Sequence, residues 1–251
     1  NRDVIIKGSK SMKRWFQTGH SQLKEAKIAY DEWKSYVRES LDTIKYRQLV
    51  YCLIKRVMNN CNNYGGNNGE KHYFSSAVTP NGIKDFAATC FKPGMKVYPI
   101  YGGPGSGAKE VLTRIAQIAQ WQGLFTEKSH CPIEPESLDM VMIPKLDTVV
   151  INIWPPLRSH VPNVEGICLQ EGIDLDTCLP QGGVIEEYRE VAMDARKRFL
   201  TLLDKAMGNM ARAKAVHTEI EGYYISAMDF EKIEQRRKEV LGRMLEYEKD
   251  F

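Results

Sequence analysis

Residues 102–109 read Gly102, Gly103, Pro104, Gly105, Ser106, Gly107, Ala108, Lys109. In a glycine-rich turn of this kind backbone N–H groups can converge on a phosphate, because few Cβ atoms stand in the way. A helical pattern follows the turn, and the partial positive charge of a helix N-terminus adds to the attraction. The full phosphate-loop pattern, GxxxxGK[ST], supplements these amides with a lysine for the terminal phosphates and a hydroxyl for Mg²⁺. Gly102 and Gly107 have that spacing, but Ala108 stands at the lysine position and Lys109 at the hydroxyl position. One residue of helix rotates a side chain by about 100°, which makes Lys109 a poor substitute. Glu110 places a carboxylate in the first helical turn, where it suits the helix dipole and repels an incoming phosphate. Nucleotide hydrolysis also needs an acid at the end of an apolar strand to hold Mg²⁺. The best such strand, VVIN, ends at Asn152, which keeps the shape of aspartate and loses its charge. The expectation is a loop, Gly102 to Lys109, that binds ATP or GTP weakly or not at all, holds Mg²⁺ poorly, and has no catalytic residue or metal ligand.

The elements that must position this loop are legible around it. Lys96 to Tyr101 is β-prone, and Ala108 to Gln122 carries an apolar stripe at Val111, Leu112, Ile115, Ile118 and Ala119, with Gly123 where a helix would stop. Strand, loop and helix therefore come in the order the chemistry requires. Strands are expected at His72 to Val78, Leu124 to Ser129, Asp139 to Ile143 and Thr148 to Ile153, with a turn and a short helix over Pro80 to Phe91. Pro155 to Gly183 reads as a long irregular loop. The fold class expected is α/β, a P-loop NTPase-like three-layer sandwich with a mostly parallel sheet, plus an N-terminal helical segment and a long C-terminal helical hairpin.

Helical regions flank it. Residues 1–58 have apolar positions at helical spacing, among them Ile28, Trp33, Val37, Leu41 and Ile44. Residues 59–70 are an Asn/Gly-rich linker, residues 71–185 the α/β domain, and residues 186–251 a helical tail broken near Ala227 to Phe230, with Asp229 as N-cap. Sliding the chain by 187 positions places residues 1–57 on residues 188–244 without a gap. About eleven identities in some 57 pairs, including Arg2/Arg189, Glu32/Glu219, Tyr36/Tyr223, Asp42/Asp229 and Gln48/Gln235, are about three times the chance level. Such a duplication makes residues 1–58 the tail of a preceding repeat. The opening without methionine, inside a helical pattern, fits a piece of a longer protein.

Composition narrows the function classes. The chain has 251 residues, 43% hydrophobic and 27% charged, with a net charge of +3, which disfavours a dedicated polyanion binder. Basic residues of the tail alternate with acids, so a nucleic-acid partner is not expected. No apolar run approaches the roughly eighteen residues of a membrane span, and six scattered cysteines without a CxxC pair read as reduced thiols, so a cytoplasmic protein with no membrane partner is expected. His130, Cys131, Glu134, Glu136 and Asp139 cluster in sequence but lack zinc spacing, and read as a strand end beside an acidic loop. Trp154, Pro155 and Pro156 fall where an α/β fold places its ligand crevice, with closure of the core as the alternative role.

These features resemble a bacterial family of tandem P-loop ATPase-like proteins, in which two nucleotide-fold repeats each end in a helical tail. The resemblance covers most of the chain from His72 onward. It rests on SAVTPNGIKDF at Ser76 to Phe86, YPIYGGPGSG at Tyr98 to Gly107, HCPIEPESLDMVMIPKLDTVVIN at His130 to Asn152, and ARAKAVHTEIEGYYISAMDFEKI at Ala211 to Ile233. It implies ATP as ligand and a first repeat of the same protein as partner. Members carry GKS or GKT and an aspartate where this chain has Ala108, Lys109 and Asn152, so the departures fall where catalysis resides. The leading expectation is a P-loop NTPase-like domain with impaired or lost hydrolysis that serves as a structural or regulatory repeat. Two alternatives stand beside it: an active NTPase completed by a lysine from the other repeat, and a protein-interaction module acting through its helical tails.

Overall fold

A computed structural model describes residues 2–59 and 69–248. The linker expected over residues 59–70 lies mostly outside the described residues, and its end, Glu70, already belongs to a strand. The chain is mixed α/β, with a mostly parallel central sheet and long helices at both ends.

Two long helices, α1 (Arg2–Glu39) and α4 (Arg189–Ile225), run antiparallel against each other. Each turns into a shorter helix, α2 (Thr43–Val57) and α5 (Phe230–Glu248). An aspartate opens each shorter helix. Asp42 Oδ1 accepts from the amides of Ile44 and Lys45 at 3.0 and 3.1 Å, and Asp229 Oδ1 accepts from that of Lys232 at 3.1 Å, satisfying N–H groups that the first helical turn leaves without partners. The stripe expected in the N-terminal segment is only partly the buried one. Val37 and Leu41 are buried, whereas Ile28 and Ile44 are exposed, and small residues, Ala26 and Ala29, take the inner face with Tyr30. Close approach of two long helices favours small side chains, which hydrophobicity alone does not single out.

The sheet runs β1 (Glu70–Tyr73), β5 (Thr126–His130), β6 (Leu138–Ile143), β7 (Thr148–Ile153) and β4 (Lys96–Tyr101), and its far edge is closed by β8 (Cys168–Leu169) and β9 (Ile173–Asp174), which pair with the two ends of β4. Among these strands only β6 is antiparallel to its neighbours. A separate hairpin, β2 (Ser76–Thr79) and β3 (Gly82–Asp85), turns at Pro80 and Asn81. Three sequence expectations change in detail. His72 to Val78 divides between β1 and β2; Pro80 to Phe91 holds strand β3 and a 3-10 turn at Ala87–Cys90 instead of an α-helix; and the loop after Pro155 contributes β8 and β9.

Alternation along β4 and β7 divides the core. Tyr98, Ile100 and Val150 face a layer made by α2 and α3 (Ala108–Trp121), while Val97, Val149 and Ile151 face the opposite side. That side is covered by Ala87, Phe91, Met95 and the irregular segment through Val161, Val164 and Ile167, so the third layer is not helical as the expected sandwich would have it. Helices α1 and α4 instead pack their Tyr30, Phe199 and Leu203 with Trp154 and Leu157 beyond the carboxyl end of β7.

Candidate functional site

Strand β4 delivers the chain to Gly102 at the carboxyl edge of the sheet, where the Gly102 amide donates to the Ile153 carbonyl of β7. The turn is closed from within. Ser106 N and Ser106 Oγ donate to the Gly103 carbonyl at 3.2 and 2.8 Å, and Ser106 is buried. Gly105 and Gly107 adopt φ of 87° and 93°, values that L side chains rarely take. Helix α3 starts at Ala108 with Gly107 as an N-cap that supplies no side chain. Strand, glycine turn and helix are thus arranged as the spacing predicts.

What stands against the turn was not legible in the sequence. A Cβ added to Gly105 would lie 2.5 Å from the Lys34 carbonyl oxygen, 2.7 Å from Val37 Cβ and 3.0 Å from the Arg38 nitrogen, so the backbone of α1 rests directly on the turn. A Cβ on Gly107 would lie 2.5 Å from the Tyr46 ring. The Tyr46 hydroxyl donates to the Gly107 carbonyl at 3.1 Å. Burial, and then the Glu110 carboxylate, push the Tyr46 phenol up, against an opposing Arg38. Ala108 is buried in the apolar layer that includes Val50 and Leu53 of α2.

Lys109 points elsewhere. Its Nζ donates to the Tyr30 hydroxyl at 2.7 Å and to Glu134 Oε2 at 2.6 Å, and lies 3.5 Å from Cys131 Sγ. Lys34 reaches the other carboxylate oxygen of Glu134 at 2.6 Å. Burial pushes the Glu134 carboxyl up, but its ion pairs with Lys109 and then Lys34 outweigh this and hold it at about 2. Burial pushes the Cys131 thiol and, more strongly, the Tyr30 phenol up. Glu110, in the first turn of α3, lies 3.6 Å from Arg38.

Beside the turn, above the carboxyl ends of β4 and β7, lies a cavity of about 610 Å³ whose walls include Gly102, Gly103, Pro104, Trp154, Asp176 and Arg196. This is the position that α/β sheets reserve for ligands; Trp154 and Pro155 line it and Pro156 does not, and Trp154 is at the same time buried in the core with Tyr30 and Phe199. Its charged groups are mixed. Burial and the Asp174 carboxylate push Asp176 up, while the Gly103 amide donates to it and opposes them. The Arg196 guanidinium lies 5.6 Å from the centre of the Trp33 ring.

Asn152 is buried on β7. Its backbone carbonyl accepts from Arg158 Nη1 at 2.9 Å, and its Oδ1 has no hydrogen-bond partner among the described residues. Arg158 also grips Asp139 at 2.9 Å and Asp85 through two bonds of 2.7 and 2.9 Å. Asp139 is itself buried, which pushes its carboxyl up despite Arg158.

The cluster from His130 to Asp139 is dispersed among three duties: His130 bonds His72 at 2.7 Å, Glu134 bridges two lysines, and Asp139 pairs with Arg158. No group of three or more His, Cys, Asp or Glu among the described residues is placed to share a metal ion. Lys34, Tyr30, Tyr46, Arg158 and Asp176 were not singled out by sequence, because each reaches the site across a long sequence separation and none sits in a motif. Compared with protein-family models, with curated proteins and with solved structures, the chain finds no match in any of the three.

Proposed function

We propose that residues 69–185 are a P-loop NTPase-type domain without hydrolysis, whose glycine turn has become a joint between the domain and its helices, and that the chain serves as a structural or regulatory repeat of a tandem protein. The observation that carries this reading is the seating of α1 at Lys34–Arg38 on Gly105 and of Tyr46 on Gly107. Protein backbone and an aromatic ring press on the two glycines that would otherwise permit close approach of a ligand.

The residues present fit Mg²⁺-nucleotide hydrolysis poorly. Lys109 is bonded to Tyr30 and Glu134, Asn152 replaces the metal-binding acid, and Glu110 and Asp176 bring carboxylates to the helix N-terminus and to the Gly103 amide. A lysine restored at position 108 would enter the apolar layer against α2, so Ala108→Lys should destabilise the chain by about 1–3 kcal/mol through overpacking instead of reviving the site.

The test is titration calorimetry of the chain with ATP and with GTP in the presence of Mg²⁺, alongside an assay for released phosphate. The expected result is no phosphate release and no binding at micromolar concentration. Micromolar binding by the unaltered chain would overturn the reading and place nucleotide in the 610 Å³ cavity beside Arg196.

A further inference from the structure

The sequence offset of 187 recurs in three dimensions. Helix α2 starts at Thr43 and α5 at Phe230. The capping aspartates, Asp42 and Asp229, obey the same offset, as do the amides they accept from at Lys45 and Lys232. Where α1 and α4 cross, equivalent residues meet. Asn209 Nδ2 donates to Gln22 Oε1 at 2.7 Å, and a Cβ on Gly19 would lie 3.2 Å from the Ala206 carbonyl oxygen. Two copies of one helix that run antiparallel can touch at equivalent positions only where a two-fold axis passes between them. A local pseudo-two-fold therefore runs through Gly19/Ala206 and Gln22/Asn209, and exchanges the α1–α2 unit with the α4–α5 unit.

The two units differ in one respect. Helix α2 packs on the α/β domain, where Leu53 and Val57 are buried and Tyr46 and Ile54 pack against the same layer. At the same offset α5 carries Val240, Met244, Ile233 and Leu241, and all four are exposed along one apolar groove. Every residue from Phe230 to Tyr247 except Glu234 is exposed. The stripe continues back through Met228, in the turn before α5, to Tyr224 on α4, at the positions of Leu41 and Val37, which are buried. The domain at residues 69–185 cannot fill this groove, since its own matching face is taken by α2.

We propose that α5 and the end of α4 dock on a second α/β domain, of the same strand, glycine turn and helix design as residues 96–121, which precedes α1 in the same polypeptide as residues 69–185 precede α4. Each domain would then be clasped by the helices that follow the other. Val240 and Met244 take the places in that domain's apolar layer that Leu53 and Val57 take in the layer here, and Tyr224 reaches its glycine turn as Val37 reaches Gly105. Arg236 and Arg237, at the positions of Leu49 and Val50, require the partner face to offer acceptors where the layer here is apolar. The inference rests on the repeat organisation proposed above and is independent of the loss of hydrolysis.

The experiment uses the product of the complete natural reading frame, with a photo-reactive phenylalanine at Val240 and a second sample carrying it at Leu245; both sites are exposed, so folding is spared. The expected product is an intramolecular cross-link to an α/β domain N-terminal to α1. A reading frame without such a domain, a cross-link to residues 96–121 of a second copy, or capture of an unrelated protein overturns the proposal. Hydrogen exchange gives a second readout: amides of α5 should exchange at least about 100-fold more slowly in the complete product than in residues 1–251 alone, and Val240→Glu with Met244→Glu should abolish the difference. Equal exchange in the two proteins also overturns it. Neither readout depends on nucleotide, so the calorimetric test and this one can fail separately.

Discussion

Lys109 Nζ lies 2.6 Å from Glu134 Oε2 and 2.7 Å from the Tyr30 hydroxyl. The lysine next to the glycine turn is thereby committed to joining α3, the segment after β5 and helix α1. With Lys34 on the other carboxylate oxygen, the bridge ties the α/β domain to the helical arm at one largely buried carboxylate.

That bridge predicts a pH dependence. Glu134 is held at about 2 against an ordinary value of 4.5, so its contribution is fully present above pH 4.5 and is lost as pH falls from there through about 2. The shift corresponds to roughly 3 kcal/mol as an upper figure. Urea denaturation of Lys109→Met at pH 7, 4.5 and 3 should show a loss of about 2 kcal/mol at pH 7 and a shallower fall towards acid than the unaltered chain. An unchanged acid limb would contradict the bridge.

The glycine turn predicts a contrast between neighbours. Gly105→Ala places a Cβ against the backbone of α1 at φ 87° and should cost about 2 kcal/mol or more. Gly103 has open space around its Cβ position and no positive φ, so Gly103→Ala should change stability by less than about 0.5 kcal/mol. Equal costs in chemical denaturation would mean that α1 does not sit on the turn.

Equivalent positions on the two short helices should respond unequally in the isolated chain. Leu53→Ala removes a fully buried side chain and should cost about 2–5 kcal/mol. Val240→Ala, on the exposed stripe, should stay within about 0.5 kcal/mol. Thermal or urea unfolding of residues 1–251 decides this, and a large loss at Val240 would show that α5 already has a partner there.

Arg158 neutralises two carboxylates, one of them buried. Arg158→Met should therefore cost about 3–5 kcal/mol at pH 7, because Asp139 is left charged and without a counter-ion. Burial already raises the Asp139 carboxyl. Without Arg158 the folded chain takes up a proton there before the unfolded chain does, so the loss should shrink as pH falls towards the ordinary aspartate range. A loss that is constant between pH 7 and 4 would point to packing alone.

Several features could be read directly from the sequence. The strand at Lys96–Tyr101, the glycine turn and the helix from Ala108 follow from alternation, from spacing and from an apolar stripe at helical period, all local properties. The offset of 187 and the Asp229 cap were equally visible, since capping is set by a side chain and amides two or three residues on. Tertiary structure decided the rest. That Lys34–Arg38 and Tyr46 close over the turn, that Arg158 gathers Asp85 and Asp139, and that α2 is buried while its counterpart α5 is bare depend on contacts between residues far apart in the chain. The same amphipathic pattern serves a helix that has found its surface and one that has not, because periodicity specifies a face and only packing specifies what lies against it.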